Sequence, residues 1–147
     1  GRLDGARELV DDLAKSDDPF VGCLRGYVLL RLGLHDELSA VVDGVLERAP
    51  QLADAFVLRG EVEAAAGSPG ARQAFAEAVG TGIPVFAEGL TRLLEGLRRY
   101  DLTHARSGLV RYVFANHMRG SMWSVFTPSR FEPGKLVITG ADTGHEA

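Results

Sequence analysis

Two Arg-Gly pairs, Arg25-Gly26 and Arg59-Gly60, stand 34 residues apart, and Gly33 and Gly67 keep the same step. A fixed period restricts a fold more than any local propensity, because each period must be one structural unit whose apolar face only its neighbour can cover. The first unit runs from Pro19 to Leu52 and the second begins at Ala53; each holds an apolar helix, a glycine turn, a second helix and a closing proline, Pro50 or Pro84. The apolar spacing predicts helices over 4–15, 20–32, 36–48, 53–66, 70–79, 85–99 and 103–118, with Asp36 and Ser68-Pro69 marking helix starts. Pro19, Pro50 and Pro84 fall at the joints, where a missing N–H costs little.

Within each unit the small and large residues are placed in order. Gly26 and Gly60 are eighth, Gly33 and Gly67 fifteenth, and a triplet of second-helix positions follows as Leu38, Val42 and Val45, then as Ala71, Phe75 and Ala78. Ala6, Val10 and Leu13 repeat that triplet upstream, and Ala105, Leu109 and Tyr112 repeat it downstream. This pattern resembles the tetratricopeptide repeat, a helix–turn–helix unit of about 34 residues. The resemblance implies an all-α, right-handed α-solenoid over residues 1–118, read as half a repeat plus three repeats. The chain starts inside a repeat and without Met, so the expectation is a segment of a larger bacterial protein.

After residue 118 the helical period ends. Residues 119–147 carry Trp123, Phe126 and Phe131, a Pro-Gly pair and the run Leu136-Val137-Ile138. These signals predict a short β-like hairpin tail. A lone hairpin is marginal in water, so the tail is expected to dock through Trp123, Phe126 and Phe131 on the third unit near Leu90, Leu94 and Tyr112. The alternative is that it binds a partner in trans.

Composition narrows the function classes. The length of 147 residues suits one domain with a sizeable core. No apolar run approaches the roughly 20 residues of a membrane-spanning helix, and no signal-peptide pattern opens the chain, so a cytoplasmic setting without a membrane partner is expected. Cys23 is the sole cysteine, which excludes an internal disulfide. Residues 1–80 hold 14 acids against 8 bases and residues 81–147 hold 6 against 8, an asymmetry suited to steering a partner or a second copy of the chain.

No catalytic, phosphate-binding or metal motif is present, and the four histidines are scattered. No enzymatic activity, no cofactor and no metal are expected. Arg92, Arg98, Arg99, Arg106, Arg111 and Arg119 form the one candidate anion or nucleic-acid surface. They lie on several helix faces with few aromatics between them, a poor pattern for tracking a strand. The resemblance instead implies a protein–protein interaction module whose first helices line a concave groove. Its lining positions are Phe20, Cys23, Tyr27, Leu30 and Arg31 in the first unit. They are Asp54, Val57, Glu61, Ala64 and Ala65 in the second, and Ala87, Leu90, Leu94, Leu97 and Arg98 in the third. Position five is Cys23, Val57 or Leu90, which departs from the family's basic carboxylate clamp and implies an apolar groove for a peptide or partner surface. A scaffold or sensor is the first reading; a regulatory domain attached to a kinase or protease in the same polypeptide is the alternative. Cys23 has no base beside it in sequence and reads as a buried apolar wall residue.

Overall fold

The computed structural model describes residues 1–117, which form seven α-helices and no strand. They are α1 (Arg2–Leu13), α2 (Pro19–Leu32), α3 (His35–Arg48), α4 (Ala53–Ala65), α5 (Gly70–Thr81), α6 (Ala87–Arg99) and α7 (Thr103–His117). The described residues are all-α, as the apolar spacing predicts. The expected tail over 119–147, with Trp123, Phe126 and Phe131, lies outside the described residues.

Each helix packs on the next, and α2, α4 and α6 also touch one another in series. Two apolar cores result. The first gathers Val10, Leu29, Leu38, Val42, Val45 and Leu58; the second gathers Val57, Phe75, Val79, Ile83, Leu93, Leu97 and Leu109. Helix α6 shows why its sequence folds this way. Leu90, Leu93 and Leu97 recur at helical spacing and are buried, while Glu88, Arg92, Glu95 and Arg99 fall on the other side.

Helix boundaries follow local chemistry. Asp18 caps α2 by accepting from the Phe20 and Val21 amides at 2.8 and 3.3 Å, ahead of Pro19 in the first turn. Asp36 does not cap α3; it lies inside the first turn with Glu37, where the helix dipole favours acids. Helix α6 starts two residues later than the spacing predicts. Val85 donates its amide to Asp54 at 2.6 Å, and the extended Phe86 backbone (φ −87°, ψ 137°) precedes the first turn.

The turn inside each helix pair is the same three times. Gly33, Gly67 and Asp101 are left-handed, with φ of 71°, 66° and 55°. The following amides, of Leu34, Ser68 and Leu102, reach back to the carbonyls of Leu29, Glu63 and Leu97 at 3.1, 2.9 and 2.9 Å. This is the six-to-one bond of a Schellman turn, repeated at a 34-residue step. The third copy places a residue with a Cβ where the first two use glycine. Asp101→Gly is therefore expected to stabilise the fold by about 1 kcal/mol, the cost of left-handed backbone for an L-residue; urea denaturation checks it.

Glycines set the helix spacing elsewhere. A Cβ on Gly26 would stand 2.6 Å from Leu58 of α4. A Cβ on Gly60 would stand 2.8 Å from the Phe75 ring, and one on Gly96 would stand 2.5 Å from the same ring. Phe75 thus fills a slot between α4 and α6 that exists only because both walls lack side chains. Gly60→Leu is expected to cost about 1–3 kcal/mol by overpacking. A melting temperature unchanged from the parent would show that the slot is looser than its distances indicate.

Candidate functional site

The stacked first helices place the expected groove residues in two groups. Cys23, Tyr27, Val57 and Leu90 are buried in the cores, and Leu94 is half-buried. Phe20 remains 48% exposed at the start of α2. Arg31, Glu61 and Arg98 reach the surface, but as members of ion pairs. The accessible part of this face is charged, where the expectation was an apolar groove.

The reason is a one-residue slip in the third unit. Read at a constant 34-residue step from Phe20, Val57, Glu61 and Arg31, the third set becomes Glu88, Thr91, Glu95 and Arg99. Those residues, with Glu61, Ala87 and Arg92, line a cleft of about 550 Å³ beside α4 and α6. Leu90 and Leu97, assigned to the groove one residue out of step, belong to the core.

The cleft is electrostatically ordered. Arg31 of α2 pairs with Glu88 of α6. Arg92 meets the same carboxylate at 2.8 Å and Glu61 of α4 at 3.5 Å, so one network ties the three first helices together. The Arg31 hydrogen bond, assisted by Arg92, holds Glu88 below the usual carboxylate range. One turn further on, Arg98 clasps Glu95 at 2.5 Å and lowers its pKa likewise. Arg92 and Arg98 are therefore each paired with a carboxylate. The Glu88–Arg92 pair has the four-residue spacing of a helix surface pair, a signal that the sequence carried and that the apolar reading passed over.

Beneath the cleft lies a buried polar node. Asp54, fully buried near the start of α4, accepts from the Tyr27 hydroxyl at 2.6 Å and from the Val85 amide at 2.6 Å, with Phe86 at 3.4 Å. The edge of the Phe86 ring meets Tyr27 at 5.7 Å between centroids. Gly89 leaves room for the node, since a Cβ there would collide with the Tyr27 hydroxyl and Asp54. Burial pushes the Asp54 pKa up against the pull of its three donors. Burial, then the nearby Asp54 charge, pushes the Tyr27 phenol far up.

Cys23 sits in the same environment. It is fully buried, and burial first and the Asp54 charge second raise its pKa far above the ordinary thiol value. The thiolate is the reactive form, so the folded protein should react with a thiol reagent far more slowly than free cysteine at neutral pH. Modification as fast as in the urea-unfolded chain would overturn that expectation. Among the described residues, no cluster of three or more His, Cys, Asp or Glu side chains is placed to hold a metal ion. No described helix is long and apolar enough to cross a membrane.

Comparison with known proteins adds two findings. The family model described as the Y4kD C-terminal domain matches residues 1–129. A relative from a Desulfuromonadales bacterium, named a probable protease, is 36% identical over 140 residues, covering 93% of this chain. The chain spans 16% of that relative's length. No solved structure matches.

Proposed function

Since this chain belongs to the Y4kD C-terminal domain family, we propose that it is a non-catalytic recognition domain, built as a right-handed tetratricopeptide-like solenoid, that serves a protease in the same polypeptide. The observation that carries this reading is the left-handed turn at Gly33, Gly67 and Asp101, with α2, α4 and α6 side by side. Equal turns at equal steps present equivalent helix faces to one partner, which is how repeat proteins make extended binding surfaces. The protease half of the reading is supported by the printed name of the relative and by the small share of it that this chain matches.

The docking face is the charged strip of Arg31, Glu61, Glu88, Thr91, Glu95 and Arg99. Interleaved charges of both signs select a partner by complementary pattern more than by apolar area. The partner is a protein or peptide, and cofactors have no place in the reading. The setting is cytoplasmic.

The experiment compares the longer polypeptide with and without this domain on two substrates, a short fluorogenic peptide and a folded protein. The expected result is that removal leaves peptide cleavage intact and lowers protein cleavage. Proteolysis by the isolated 147-residue chain would overturn the non-catalytic assignment. Equal cleavage of both substrates with and without the domain would overturn the recognition role.

A further inference from the structure

The 34-residue repeat places two arginines in equivalent positions, Arg25 on α2 and Arg59 on α4. Arg59 has a carboxylate partner, Asp43 of the preceding second helix. Thirty-four residues before Asp43 stands Leu9 of α1, which offers none. Arg25 accordingly makes no hydrogen bond or salt bridge among the described residues, and its Nε is buried without an acceptor. The enclosed Nε is out of a ligand's reach, and Arg106 shares that feature; the Nη groups of Arg25, which no described residue pairs, are the ones open to an outside anion.

Arg25 borders a cleft of about 310 Å³ between the end of α1 and the helices α2 and α3. Leu13, Gly22, Val41 and Val45 give it an apolar wall. The other charged residues of the cleft are already engaged. Glu37 is held by Arg7 at 2.7 Å, which lowers its pKa, with Arg25 adding a weaker pull. Arg48 meets Asp17 at 3.2 Å and the Gly44 carbonyl at 3.0 Å. One unpaired guanidinium above an apolar wall matches a ligand with one carboxylate on a branched apolar group.

We propose that this cleft binds such a carboxylate, which takes on Arg25 the place that Asp43 fills for Arg59 in the next repeat. Two sources carry that chemistry, the free C-terminus of a peptide ending in an aliphatic residue and a small branched carboxylic acid. The site is separate from the charged strip, and it stands or falls independently of the protease reading.

Titration calorimetry and the Arg25 Nε–H resonance test it on the 147-residue chain, with N-acetyl-leucine, N-acetyl-leucinamide and 4-methylpentanoate as probes. The expected result is binding of N-acetyl-leucine with a shift of the Nε–H signal, and no binding of the amide. Equal binding of 4-methylpentanoate would assign the site to small acids; its failure beside a binding N-acetyl-leucine would assign it to peptide termini. Arg25→Gln should weaken the bound probe roughly tenfold or more, the usual consequence of losing a charge-assisted hydrogen bond. Arg25→Lys, which keeps the charge and loses the fork, should fall between. Absence of binding by both acids, equal binding of the amide, or unchanged affinity in a folded Arg25→Gln protein would each overturn the proposal.

Discussion

Phe75→Ala is expected to lose about 3–5 kcal/mol of stability, the largest effect of any single truncation among the described residues. The ring is fully buried and stacks on Tyr100 at 5.9 Å between centroids. Its slot is walled by Gly60 and Gly96, which have no side chains to swing into the void. A site that cannot collapse retains its cavity, and cavity volume is what separates a costly truncation from a mild one. Urea denaturation measures the loss. A second measurement addresses the slot itself: Gly96→Ala should harm the parent but be tolerated, or even helpful, in the Phe75→Ala background, because the new methyl enters vacated space. Additive effects in the double variant would show that Phe75 and Gly96 do not share the slot.

Asp54→Ala is expected to cost about 2–4 kcal/mol, since it strands the Tyr27 hydroxyl and the Val85 amide in a dry interior. Asp54→Asn separates hydrogen bonding from charge through its pH dependence. Burial raises the Asp54 pKa above its ordinary value of 3.8. The folded state therefore holds its proton to higher pH than the unfolded chain does. The contribution of Asp54 is complete below the unfolded pKa and is lost as pH rises through the folded value. The stability of the parent relative to Asp54→Asn should then decline from acid pH upward and level off once Asp54 is ionised. A relative stability that instead rises over that range would mean that the three donors outweigh desolvation and that Asp54 is a depressed carboxylate.

The helices were legible because their cause is local. Apolar spacing, Pro19 and the glycine turns each act within a few residues, and the predicted spans lie close to the observed ones. The start of α6 was not legible, because Val85 gives its amide to Asp54, 31 residues away. The third repeat misled for a related reason. Its turn is made by Asp101 and not by glycine, so nothing in the letters marks the 34-residue step there. On a helix, one residue rotates the face by about 100°, enough to exchange the charged strip of Glu88, Thr91, Glu95 and Arg99 for the buried Leu90 and Leu97. The ion pairs among Arg31, Glu61, Glu88 and Arg92 join three helices, and pairing across helices leaves no periodic trace in a sequence. The unpaired state of Arg25 was hidden too, since an identical Arg-Gly pair 34 residues later has its partner.

Apart from the side-chain contacts of α2 with α6, Arg31 with Glu88 and Tyr27 with Phe86, the helix packing of the described chain joins elements at most two places apart in order. Such a chain closes mostly short loops as it folds, so its search is brief and little hindered by loop entropy. The same locality gives it no single point of failure. Helix α1 packs chiefly on α2 and buries only Val10, whereas α4 and α5 share the tightest interface and the Phe75 slot. Amide exchange should therefore run as a gradient, fastest in α1 and slowest around Phe75, with the chain opening helix by helix from that end instead of melting at once.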